Sequence, residues 1–205
     1  PNTVVRPSLS GRASAMTSQS TAARMKLVVS DTVAMLSTDQ IVALSTAQVA
    51  SLTSAQMAAM DSSQISAIET EDIAALTTAQ LAKLDTLTVS RLSTDQVVAL
   101  STAQIKSLTS SQLNALNATS LQAIETADVG AMSSAQIASL NSTQMNRLTT
   151  DQVQALTTDA VKALSTATVQ ALNTDQLSAL TSGQVQALSS GQLQALGTAQ
   201  VRDMA

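Results

Sequence analysis

A chain of 205 residues without a single Phe, Trp, Tyr, Cys or His cannot build an aromatic-rich core, a disulfide, a thiolate metal site or a His-based catalytic dyad. Its 44% hydrophobic content must pack through Leu, Val, Ile, Met and Ala, small side chains suited to a thin, repeated core. The net charge is −4, and no apolar run approaches the roughly 20 residues that a membrane-spanning helix needs.

Residues 1–35 are predicted to be a separate N-terminal segment. They carry Arg6, Arg12, Arg24 and Lys26 against Asp31, a net of +3, whereas residues 36–205 carry six bases and thirteen acids, a net of −7. A basic arm beside an acidic body suits contact with a neighbouring copy, so Arg6, Arg12, Arg24 and Lys26 are the candidate assembly residues; a disordered, soluble tail is the alternative. No apolar h-region followed by a small-residue cleavage site is found here, so no Sec-type signal peptide is read, and Pro1 fits removal of an initiator Met or equally a processing boundary.

From Leu36 onward the chain repeats every eight residues, in phase and without insertion, for twenty-one octads. Position 1 is always Leu, Met or Ile, and position 6 always Ile, Val, Met or Leu. Position 2 is Ser, Thr, Asp, Asn or Glu except at Gly197, and position 5 is Gln in fifteen octads, the departures being Asp72, Thr88, Ser120, Asp128, Ala160 and Thr168. One continuous helix is excluded, because eight residues overshoot two turns by roughly 80° and the apolar positions would spiral. A β-solenoid is disfavoured by the Gln and Ala content and by the lack of strict alternation.

Short helices, one per octad, explain every position. Position 2 as N-cap and Gln at N3 form the S/T-x-x-Q capping box, while positions 1 and 6 are the two partners of a hydrophobic staple, as in Leu36 with Ile41 or Leu148 with Val153. Acids such as Asp39, Asp95 and Asp151 fall near the predicted helix starts, and Lys83, Arg91, Lys106, Arg147 and Lys162 near the ends, as the helix dipole favours. Such short helices are unstable alone. The predicted fold is therefore an all-α solenoid over residues 36–205, with positions 1, 6 and often Ala at position 8 facing a narrow continuous core. Asp39, Asp95 and Asp151 recur at intervals of seven octads, as do Glu69 and Glu125. This spacing records either duplication or the superhelical geometry.

Little catalytic chemistry is available. The recurring Ser and Thr have no candidate base beside them and are read as caps. The acidic run Glu69, Glu71 and Asp72 lacks the alternating oxygen ligands and Gly of an EF-hand loop. The sequons at Asn117 and Asn141 coincide with N-cap positions. No catalytic, cofactor or metal residue is assigned.

The octads "LSTAQV", "LTTDQV" and "LSSGQL" resemble the Leu-Ser/Thr-x-x-Gln-Val/Ile-x-Ala repeats of large bacterial secreted or surface proteins, described as adhesin-like or haem-utilisation proteins; the likeness covers residues 36–203. It implies an extracellular or cell-surface location. A haem role is not supported, since axial His and Tyr are missing and the Met positions read as core. "LSTDQIVAL" is also similar to the opening helix of the DNA-reading repeats of TAL effectors, which are longer and carry a base-reading loop unmatched here. An acidic surface repels phosphate, so no nucleic-acid partner is expected. The function expected is that of a non-enzymatic structural protein, a homo-oligomer or polymer assembling as a filament, sheath or surface layer, without a small-molecule substrate. The alternative is a spacer or binding module of an adhesin.

Overall fold

A computed structural model describes residues 33–203, and within them the chain forms twenty-one short helices, from Thr38–Val42 to Thr198–Asp203, one per octad and four to six residues long. Among the described residues there is no strand, and no helix is long and apolar enough to cross a membrane. Residues 1–32, which include Arg6, Arg12, Arg24 and Lys26, lie outside the described residues.

Each helix starts where position 2 predicts. Ser93, for example, has an extended backbone, its Oγ accepts from the Gln96 amide at 3.2 Å, and its own amide donates to Gln96 Oε1 at 2.9 Å. Asn117 and Asn141 are N-caps as well, accepting from Ser120 and Gln144 at 2.9 Å. Glu69 and Glu125 cap without a side-chain hydrogen bond, and both belong to octads with Asp in place of Gln at N3.

The helix ends vary more, falling at position 6 (Val49), 7 (Val98) or 8 (Ser107) of the octad. At Leu108 (φ −63°, ψ 133°) and Thr109 (φ −73°, ψ 160°), two consecutive extended residues turn the corner into the next helix. No described residue has a positive φ, so these corners ask for no glycine; the position-1 side chain at the bend points into the core instead.

Successive helices wind into a solenoid in which most pack on the third helix along, as Ser110–Ala115 on Thr86–Ser90, Ser134–Ser139 on Thr158–Ala163, and Thr166–Gln170 on Ser190–Ala195, while Ser54–Ala58 meets the fourth, Thr86–Ser90. Hydrogen bonds between neighbouring turns join residues 25 to 31 apart, so a turn takes between three and four octads. Two turns then take between six and eight octads, a range that contains the seven-octad recurrence. Positions 1 and 6 make one continuous apolar core from Val33 to Leu196, and burying each such side chain contributes about 1.5–3 kcal/mol.

One expectation is corrected. Ala at position 8 meets the core only from its rim: Ala67 and Ala123 pack against it while half-buried, Ala75, Ala99, Ala155 and Ala171 are half-buried, and Ala43 and Ala163 are exposed. The third buried position is Gln at position 5, with Gln96, Gln112, Gln152 and Gln176 each only 1% exposed.

Candidate functional site

A buried primary amide must satisfy both a carbonyl oxygen and an NH2 group. The oxygen is used locally: Gln Oε1 accepts the N-cap amide of its own octad, as at Gln96 and Gln152, except at Gln144, where it accepts from the Arg147 guanidinium and the Asn141 amide donates to Asn114 Oδ1 instead. The NH2 group crosses to the preceding turn. Gln96 Nε2 donates to the carbonyls of Ile65 (2.7 Å) and Ile68 (2.8 Å), which lie 31 and 28 residues earlier. The same contact recurs at Gln64, Gln80, Gln104, Gln112, Gln136, Gln144, Gln152, Gln176, Gln184, Gln192 and Gln200. Every one of these amides reaches the carbonyl 28 residues back, at position 1, where the corner leaves an acceptor without an i+4 amide. The ladder thus joins a helix start on one turn to a helix end and corner on the turn before.

A second ladder runs the other way. From position 7, Asn114 Nδ2 donates to the Ser139 carbonyl (2.9 Å), Gln122 to Arg147 (2.9 Å), Asn146 to Ala171 (2.7 Å) and Gln154 to Ala179 (3.3 Å), in each case 25 residues onward. Gly130 occupies the same position, and a Cβ there would lie 3.0 Å from the Ala155 carbonyl oxygen. The turns approach closely at that point.

Where position 5 is not Gln, the rung is replaced by other contacts. At Thr88 the hydroxyl is buried without a hydrogen-bond partner, and the carbonyl that a Gln would have reached, Met60, accepts from the Arg91 guanidinium instead. Ser120 Oγ donates weakly to the Leu92 carbonyl at 3.4 Å. Asp128, 6% exposed, accepts from the Thr102 hydroxyl of the preceding turn at 2.6 Å. Thr168 pairs with its own cap, Ser165, at 2.7 Å. Beside Thr88, Asp85 is held below the usual carboxylate range. The Thr88 hydroxyl faces it without reaching hydrogen-bonding geometry, the Thr88 amide donates to it at 2.7 Å, and Arg91 adds positive charge, together outweighing a small desolvation.

The acidic run is pulled apart by the fold: Glu69 and Glu71 are exposed at a helix start, whereas Asp72 is 3% exposed. Among the described residues no three His, Cys, Asp or Glu side chains are grouped so as to hold a metal ion. An open depression of about 340 Å³ is lined by Thr126, Asp151, Gln154 and Ala155. It offers a carboxylate, an amide and a hydroxyl at the surface. Among the described residues the salt bridge Lys162–Asp159, at 4.0 Å between exposed groups, adds little. What the molecule builds with care is the contact between turns.

The role of position 5 in that contact is the feature missed in the sequence. A capping box accepts Glu as readily as Gln, yet none of the twenty-one octads has Glu at position 5. A carboxylate can serve the cap but has no N–H to donate onward, so the consistent choice of Gln is the signal of a second partner.

No curated protein and no solved structure matches the chain. The profile of the ALTTAQ repeat matches residues 33–67, 65–102, 121–158 and 159–190, which together make up more than half of the sequence. The chain belongs to the ALTTAQ repeat family.

Proposed function

We propose that this protein is a non-enzymatic structural element, an octad solenoid that self-assembles outside the cell into a filament, sheath or surface layer. The observation that carries the reading is the uniformity of the inter-turn contact: the same glutamine amides meet the same backbone carbonyls from Gln64 to Gln200. Nothing in that contact depends on a specialised residue, so it can be extended by further octads with no new chemistry. A surface of Ser, Thr, Gln and Ala with few charges suits close packing of neighbours. The assembly needs no cofactor, substrate or nucleic acid, and its partner is another copy. The basic residues Arg6, Arg12, Arg24 and Lys26 complement the acidic body and are assigned to contacts between copies. The location outside the cell rests on the likeness to repeats of secreted and surface proteins, and labelling of intact cells with an antibody tests it.

Electron microscopy of the purified protein at rising concentration, with and without residues 1–32, tests assembly. Ordered fibres or sheets are expected from the full chain. Monodisperse monomers from both forms would overturn the reading in favour of a spacer within an adhesin.

A further inference from the structure

We infer that Asp72 and Asp128 each anchor a calcium site between turns, in which the cation takes the place of the glutamine amide and draws on the main-chain carbonyls of Leu44 and Leu100. The site lies inside a single rod and is independent of contacts between copies.

Two octads break both local rules at once. Glu69 and Glu125 are the only Glu residues at position 2, and Asp72 and Asp128 the only acids at position 5. Neither Glu makes a side-chain capping bond, and neither Asp carboxylate can donate to the preceding turn as Gln does. Burial makes the exchange costlier, with Asp72 3% and Asp128 6% exposed. Among the described residues the Asp72 carboxylate has no hydrogen bond or ion pair, and that of Asp128 has only the Thr102 hydroxyl, at 2.6 Å. A charge enclosed in this way is paired or coordinates a metal.

The rungs on either side fix what lies opposite. Gln64 and Gln80 reach the carbonyls of Leu36 and Leu52, and Gln112 and Gln136 those of Leu84 and Leu108, each 28 residues back. The same step from Asp72 and Asp128 falls on Leu44 and Leu100, whose carbonyls receive no donor among the described residues. Asp is one methylene shorter than Gln, by about 1.5 Å, which leaves room for an ion where the amide would have closed the rung. The carboxylate, the carbonyls and the Thr102 hydroxyl, with Thr46 in the equivalent octad, are hard oxygen donors with no nitrogen or sulfur among them. Ca²⁺ accepts such irregular mixed sets, completed by water, whereas Mg²⁺ demands a near-ideal octahedron and gives up its own water reluctantly. Because main-chain carbonyls supply part of the set, no group of three acidic side chains is required.

The test follows the thermal midpoint of the full chain by circular dichroism after treatment with EDTA, then in CaCl2, in MgCl2 and in NaCl of matched ionic strength. In about 10 mM CaCl2 the wild-type midpoint is expected to rise by roughly 5 °C over NaCl, from two sites with dissociation constants of about 1 mM, and to rise clearly less in MgCl2. Asp72→Gln with Asp128→Gln restores the donor at both rungs. That variant is expected to be more stable than wild type without calcium and to respond to CaCl2 no more than to NaCl. If it fails to fold, Asp72→Asn with Asp128→Asn, which keeps the shape and removes the charge, takes its place and is likewise expected to be blind to calcium. Asp128→Gln alone is expected to keep about half of the calcium shift. Glu71→Gln with Asp95→Asn, at exposed acids, is expected to shift as wild type does. A wild-type response to CaCl2 no greater than that to NaCl or MgCl2 overturns the inference, as does a calcium response that survives removal of both buried carboxylates.

Discussion

Gln96→Glu separates the two tasks of the position-5 side chain. The carboxylate still accepts the Ser93 amide, so the capping box survives, but the oxygen replacing Nε2 faces the carbonyls of Ile65 and Ile68, which the amide now holds at 2.7 and 2.8 Å in a site 1% exposed. Two hydrogen bonds, each contributing about 0.5–1.5 kcal/mol, become repulsive contacts. A buried charge without a partner raises the cost to about 3–5 kcal/mol. Urea unfolding followed by far-ultraviolet circular dichroism should therefore show that loss at pH 7. Burial and the facing carbonyls favour the neutral acid, so the variant's carboxyl titrates higher in the folded state than its unfolded value of about 4.3. The variant is thus most stable relative to wild type below that value and loses ground as pH rises through the folded one. Gln40→Glu is the internal control: it has the same capping box, an exposed side chain and no inter-turn bond among the described residues, and should cost less than about 0.5 kcal/mol. Equal effects at the two positions would refute the ladder as a source of stability.

Three further outcomes follow from the same geometry. Arg91→Ala removes the donor to Met60 and should cost about 1–2 kcal/mol, and adding Thr88→Gln should recover most of it by restoring the ordinary rung; a double-mutant cycle in urea checks this. Gly191→Ala meets nothing within 4 Å and should stabilise by about 0.5–1 kcal/mol, whereas Gly130→Ala, placing a methyl 3.0 Å from the Ala155 carbonyl oxygen, should gain nothing or destabilise in the same assay. Asp85 has a lowered folded pKa, so its contribution is present above the usual carboxylate value of about 3.9 and is lost as pH falls through the folded one. Asp85→Asn should therefore flatten the acid limb of the stability profile, and NMR titration of the Asp85 carboxyl should give a midpoint below that of an exposed Asp.

The helices were legible because their signals are local. Ser93, Gln96, Leu92 and Val97 lie within six consecutive residues, and a capping box with a staple specifies a helix start without reference to the rest of the chain. The corners left no such mark, since a chain that turns through extended Leu108 and Thr109 needs no glycine to signal the bend. What could not be read was the contact with the neighbouring turn. Gln96 was already accounted for by its cap, and its second bond depends on how many octads complete a turn, a quantity set by packing of distant side chains. The same ignorance displaced Ala at position 8: without the turn length, a small apolar residue is a better guess for a core than an amide.

The turn length has a consequence for how such a chain can change its size. Because a turn takes between three and four octads, adding or deleting one octad twists everything downstream by a quarter to a third of a circle, moving each side chain to a different flank of the rod. Seven octads bring it back to nearly the same bearing after about two turns. Slippage by single octads would scramble a contact between neighbouring rods, whereas gain or loss of whole seven-octad blocks would change their length and leave their facing surfaces aligned. The recurrence of Asp39, Asp95 and Asp151 along this chain follows that second rule.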